Sequence, residues 1–133
     1  MNQSLFKKFI NWTKLKFKIH ICKNINFYFK ERDIWWASLG INIGYEQDGK
    51  NKEFERPVLV LKKFNKDMLW ILPLSSKVKD NKFYFTTRYN NKNFSIILSQ
   101  LKLISSKRLT RKIRILPKNE FSQIKEKIKN FLL

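Results

Sequence analysis

The chain has 133 residues, 43% hydrophobic and 15% aromatic, and its 29 Lys and Arg against 10 Asp and Glu give a formal charge of +19. That content suits one compact domain with its own core, and the charge favours a polyanionic partner, although a chain rich in Lys, Asn, Ile and Phe is also what an AT-rich genome produces without selection for binding. A single cysteine, Cys22, excludes an intramolecular disulfide and fits a reducing compartment, so a cytoplasmic location is expected.

Residues 2 to 21 set Phe6, Phe9, Ile10, Thr13, Phe17 and Ile21 on one face at helical spacing, which predicts an N-terminal helix packed against the rest of the chain. The stretch from Lys14 to Ile21 also alternates polar and apolar, so a strand fits its second half. No apolar run has the length of a membrane span, and Lys interrupts the N-terminal residues too often for a secretory signal. No membrane partner is expected, the alternative being a basic amphipathic helix lying in a lipid interface.

Asp33 to Leu39 reads as a first strand, and Gly40 to Glu55, which holds all three glycines, as a long polar loop. Pro57 to Leu61 and Met68 to Leu72 are apolar runs of strand length joined by the polar turn Phe64-Asn65-Lys66-Asp67. In an antiparallel pair, the start of the first strand meets the end of the second. Arg56 is therefore expected beside Ser75 and Ser76, bringing a cation and two hydroxyls to one end of a small sheet. Lys82 to Tyr89 and Phe94 to Leu98 form a second hairpin around Asn90 to Asn93. Gln100 to Ile104 and Lys112 to Leu116 add short strands around a helical turn near Ser105 to Leu109. Pro117 opens a C-terminal helix carrying Phe121, Ile124, Ile128 and Leu132 at helical spacing. The whole predicts an α+β fold, a small curled sheet or barrel capped by helices.

Many catalytic schemes lack their residues here. The one histidine, His20, has no second His to pair with as acid and base, and one Cys with one His cannot build a zinc site. No glycine-rich nucleotide cradle is present. Glu46, Asp48, Glu53 and Glu55 are close in sequence but read as a solvated loop without ligand periodicity, so no metal and no cofactor are expected. What remains is Arg and hydroxyls acting on a phosphate. RNA carries its own nucleophile, the 2′-OH, and Arg56 can grip two phosphate oxygens while Ser75 donates a hydrogen bond. On the residues alone, an ordinary Arg and Ser at strand ends explain the pattern better.

Five short pieces in register add to this reading: Glu31-Arg32-Asp33-Ile34-Trp35-Trp36, Gly44-Tyr45-Glu46-Gln47-Asp48-Gly49, Arg56-Pro57-Val58-Leu59-Val60, Pro73-Leu74-Ser75-Ser76, and Ser99-Gln100-Leu101-Lys102 followed by Lys107-Arg108-Leu109. Together they resemble the MazF/PemK family of type II toxin–antitoxin endoribonucleases. The resemblance covers residues 31–133 as a toxin domain and leaves 1–30 as an N-terminal helical extension. It implies an SH3-like barrel with a C-terminal helix, usually a homodimer. It also implies metal-independent cleavage of single-stranded RNA at a short sequence, and restraint by a cognate antitoxin with an acidic segment. The family's catalytic pair maps onto Arg56 and Ser75. The resemblance further points to Ser76, Lys77, Glu46, Gln47, Gln100, Lys102 and Arg108 for RNA binding. Ser75 stands where the family has Thr, Lys102 where it has Arg, and Arg32 where it commonly has Gly; residues 50–55 are an insertion. Two other functions fit a basic barrel. One is a non-catalytic module binding nucleic acid through Trp35, Trp36, Tyr84 and Phe85; the other is a poison of DNA gyrase like CcdB.

Overall fold

Alternating apolar side chains build the centre of the fold. A computed structural model describes residues 3–22 and 28–133, and among them are seven strands, two α-helices and one 3-10 turn. Residue 2 and residues 23–27, which the sequence reading included in the N-terminal helix and extension, lie outside the described residues. The strands are β1 (Asp33–Ser38), β2 (Glu55–Lys63), β3 (Met68–Ser75), β4 (Tyr84–Tyr89), β5 (Lys92–Ile97), β6 (Lys102–Ser105) and β7 (Leu109–Ile115). All pairings are antiparallel, in the order β4-β5-β3-β2-β1-β7, with β6 also on β3. β3 changes partner along its length. Met68 to Ile71 pair with β6, whereas Leu74 and Ser75 pair with β5, and this switch curls the sheet into a half-barrel. The same switch carries β3 three residues past the expected end at Leu72, so Ser75 is the last strand residue rather than part of a loop.

Period-two alternation sends side chains to two cores. Trp35, Ala37, Val58, Val60, Leu69 and Ile71 lie in one, with Phe29, Leu39, Ile104 and Leu109. Ile34, Leu59, Leu61, Leu72 and Leu74 lie in the other, with Ile96, Leu98 and Leu116. Helix α2 (Lys118–Phe131) seals the second core through buried Phe121 and Ile124 and half-buried Ile128; Leu132, expected on the same face, lies past the helix end and is exposed. The β4–β5 hairpin closes through Asn90 and Asn91, both at positive φ (51° and 63°), as a two-residue turn matched to strand twist requires. Trp35 is core, Phe85 packs against the second core, and Trp36 lies under the Arg111 guanidinium at 4.8 Å.

Helix α1 (Gln3–Ile21) runs unbroken through the stretch that also fitted a strand. It docks by the face opposite to the expected one. Trp12 is buried, with Leu15 and Ile19 half-buried, while Phe6, Phe9, Ile10, Phe17 and Ile21 are exposed. Trp12, Leu15 and Ile19 also follow helical spacing, so the helix carries two apolar stripes, and the tertiary fit selects the one with the largest ring. Trp12 sits over Gly40, where any Cβ would fall inside its indole, and packs on Phe54 at 5.6 Å between ring centroids. Among the described residues, no helix is long and apolar enough to cross a membrane.

Candidate functional site

Arg56 stands near the start of β2, next to Pro57. Its Nε donates to the Asp48 carbonyl and its Nη1 donates to the Leu74 carbonyl at 2.9 Å. The ladder of β2 on β3 ends at Val58 opposite Pro73, and the bond to Leu74 continues the contact beyond it, to within one residue of Ser75. Two of the five guanidinium N–H groups are thus held on carbonyls, and three remain for a ligand. Burial pushes this guanidinium below its ordinary pKa, against the opposing pull of the Asp48 carboxylate. The Ser75 hydroxyl accepts from the backbone N–H of Lys77 at 3.2 Å, which turns the chain and leaves Ser76 and Lys77 exposed at the strand end.

A pocket of about 430 Å³ opens beside this end of the sheet, with Glu46, Gln47, Gln100 and Lys102 on its walls and Leu39, Ile71 and Pro73 among its apolar residues. Four of the expected RNA-binding residues therefore converge although more than fifty positions separate the pair Glu46 and Gln47 from the pair Gln100 and Lys102. Gln100 fixes the join: its Oε1 accepts from the Gln47 N–H at 2.9 Å and its Nε2 donates to the Tyr45 carbonyl at 3.2 Å. Lys102 is held below its ordinary pKa, first by burial and then by Arg108 and Lys16, while Glu46 and Asp48 oppose this. Tyr45, which the sequence reading did not single out as a contact residue, is 99% exposed on the pocket rim. Its signal was an aromatic in a polar loop, next to two residues chosen for binding.

Arg56, Ser75, Ser76, Lys77 and Arg108 do not line this pocket. Arg108 donates from Nη1 to the Ser38 carbonyl at 3.1 Å and lies over the Trp12 ring at 5.7 Å; burial lowers its pKa. His20 is exposed on α1, where its carbonyl accepts from Lys107 Nζ at 2.8 Å. The acidic loop is not wholly solvated. Glu55 is buried and receives Arg111 Nη1 on both oxygens at 2.9 Å, which a burial estimate from local composition could not anticipate. Among the described residues, no group of three or more His, Cys, Asp or Glu side chains converges as metal ligands.

Fold and site together define a small basic half-barrel that carries a guanidinium and a hydroxyl where β2 and β3 end, and a separate polar pocket lined by Glu46, Gln47, Gln100 and Lys102. Residues 30–132 match the family model described as PemK-like, MazF-like toxin of type II toxin–antitoxin systems, and the chain belongs to that family. Solved structures agree at the level of fold. MazF from Deinococcus radiodurans superposes with a TM-score of 0.63 at 16% identity, covering 80% of this chain and 97% of that one. Mycobacterium tuberculosis toxin MazF-mt6 gives 0.59 at 18% identity, covering 76% and 96%. A mycobacterial endoribonuclease in complex with its cognate antitoxin gives 0.59 at 7% identity, covering 79% and 95%. A search of curated proteins finds no match. Helix α1 precedes the matched residues.

Proposed function

We propose that this toxin is an endoribonuclease that cuts single-stranded mRNA at a short sequence by attack of the substrate's own 2′-OH. The observation that carries this reading is the Arg56 guanidinium, anchored on the Asp48 and Leu74 carbonyls one residue before Ser75, with three N–H groups left over. In the reaction the 2′-oxygen bonds to phosphorus and the bond from phosphorus to the 5′-oxygen breaks. The 2′-OH gives up a proton to water, and the leaving 5′-oxygen takes one from water. The products are a 2′,3′-cyclic phosphate and a 5′-hydroxyl. Charge builds on the phosphate oxygens in the transition state, where a planar, permanently charged fork is most useful. Ser75 donates a hydrogen bond to a phosphate oxygen or to the leaving oxygen. Because the nucleophile belongs to the substrate, the chemistry needs no divalent ion and no cofactor.

Glu46, Gln47, Gln100 and Lys102 hold nucleotides next to the cut in the shared pocket, with Ser76, Lys77 and Arg108 contributing along the strand end. A cognate antitoxin with an acidic segment covers this basic surface, and the toxin works as a homodimer. The test is incubation of single-stranded RNA with the protein in excess EDTA, followed by analysis of the new ends. Cyclic phosphate and 5′-hydroxyl ends from wild type, and none from Arg56→Ala, support the assignment. Equal cleavage by both proteins overturns the roles given to these residues.

A further inference from the structure

Beyond the barrel, a second groove of about 830 Å³ runs between α1 and the loop of residues 48–54. Lys8 and Asn11 line it from the helix, and Lys50, Asn51 and Lys52 line it from the loop, with Asp48 at one end. Three cations thus face a single carboxylate, and that carboxylate is engaged, since its Oδ1 accepts from the Asn42 N–H. The loop wall is a built structure. Lys50 and Glu55 exchange backbone hydrogen bonds at 2.7 and 2.8 Å, and Gly49 lies so close to the Phe54 carbonyl that no side chain would fit there. The helix wall is fixed by Trp12 over Gly40 and Phe54. Phe54 also contributes to the groove lining, so the cleft offers ammonium groups, amides and apolar surface together.

Position decides what such a cleft takes. Asp48 borders the groove, and its carbonyl holds Arg56 Nε, so the groove begins where the Arg56 site ends. One helix serves both places: Lys8 lines the groove, and Lys16, about 12 Å further along the axis, is close enough to depress the Lys102 ammonium in the first pocket. The helix wall lies outside the family match, because α1 precedes residues 30–132, and the loop wall includes residues 50–55, which the resemblance sets apart as an insertion. We infer that the groove between α1 and the insertion is an additional subsite for single-stranded RNA, in which Lys8, Lys50 and Lys52 neutralise phosphates of nucleotides flanking the cut. This inference rests on the ribonuclease reading. Lysines supply the phosphate contacts, and the amides and apolar surface suit unstacked bases.

The experiment compares wild type with Lys8→Gln/Lys50→Gln/Lys52→Gln, three exposed positions, with circular dichroism used to check that the variant keeps the wild-type fold. Binding is measured with uncleavable 2′-O-methyl RNA of mixed sequence, in lengths of about five and about fifteen nucleotides that bracket a single binding cleft, across a salt titration. The triple variant is expected to lose about tenfold or more in affinity for the long strand and nothing for the short one. Its slope of log K against log salt should flatten by about 2, since each of three lost phosphate contacts carries about 0.7 on a single strand. Unchanged long-strand affinity and slope, or equal losses at both lengths, overturn the subsite. If wild type binds neither length, the ribonuclease reading itself fails and the subsite with it. Loss of binding to polyglutamate with RNA binding intact makes the groove a protein site and also overturns the inference.

Discussion

The Arg56 guanidinium reaches across from β2 and donates to the Leu74 carbonyl at 2.9 Å, one residue before Ser75 on β3. This bond does two things at once. It holds the fork at the sheet end, and it satisfies a carbonyl in a largely buried strand. Arg56→Ala should therefore lower the cleavage rate by about a hundred- to a thousand-fold and also destabilise the fold by about 1–3 kcal/mol, because the Leu74 and Asp48 carbonyls lose their donor. Arg56→Lys should cleave almost as poorly, since an ammonium cannot grip two phosphate oxygens in one plane. Cleavage rates paired with thermal melts check both effects, and an Arg56→Lys protein of near wild-type rate contradicts the role of the fork.

The role proposed for Ser75 needs only its hydroxyl. Ser75→Thr should keep activity within a fewfold, whereas Ser75→Ala should lose most of it. His20→Ala should be silent, because His20 lies exposed on α1, away from the Arg56 anchors on Asp48 and Leu74. Single-turnover cleavage by the three variants checks this. The reverse ranking would mean that the chemistry runs through histidine.

In the proposed RNA site, stability and binding pull in opposite directions at Lys102. Its folded pKa lies below the ordinary lysine value, so folding disfavours its charged form; the resulting destabilisation is full below the folded pKa and fades as pH rises through it toward the unfolded value. Lys102→Gln should accordingly raise the melting temperature near neutral pH while weakening RNA binding by about tenfold, the effect of losing one charge-assisted hydrogen bond. In wild type, the Lys102 contribution to binding should vanish on the alkaline side at a lower pH than for an exposed lysine. Melts and a pH series of binding isotherms, each against Lys102→Gln, check these directions. A variant that is less stable and binds equally well contradicts them.

Arg32 adopts φ +79°, a left-handed conformation, and donates from Nε and Nη2 to the Leu116 carbonyl at 3.1 and 3.0 Å. A glycine reaches that backbone freely, whereas here a side-chain clamp compensates for the strain. Arg32→Ala removes the clamp and keeps the strain; Arg32→Gly removes both. The Gly variant should be the more stable of the two by about 1 kcal/mol, measured by denaturant unfolding. Equal stability of the two would mean that the backbone carries no strain there.

Strand pairing was readable in advance because β2 and β3 are apolar runs joined by a short polar turn, which alone implies that Arg56 meets the end of β3. The docking face of α1 was not readable. Its sequence has two apolar stripes, and the choice depends on Gly40 and Phe54 offering a surface that fits Trp12, a relation that no local periodicity contains. The loop of residues 40–55 looked polar and featureless for a similar reason. Glu55 becomes buried only because Arg111 on β7 comes to meet it, and Gln47 meets Gln100 only once β3 has brought β6 alongside. Long-range pairing of polar groups leaves no trace in composition. The extension of β3 to Ser75 likewise follows from its exchange of β6 for β5 as partner.

The central claim is that the substrate supplies the nucleophile while Arg56 and Ser75 hold the phosphate. The most direct measurement is the cleavage of a single-stranded RNA in which the nucleotide 5′ to the scissile bond is replaced by its 2′-deoxy form, in excess EDTA, beside the all-ribose strand. The account predicts full cleavage of the ribose strand, with cyclic phosphate and 5′-hydroxyl ends, and no cut at the substituted position. Cleavage of the deoxy strand at that position, or activity lost in EDTA and restored by magnesium, would contradict it.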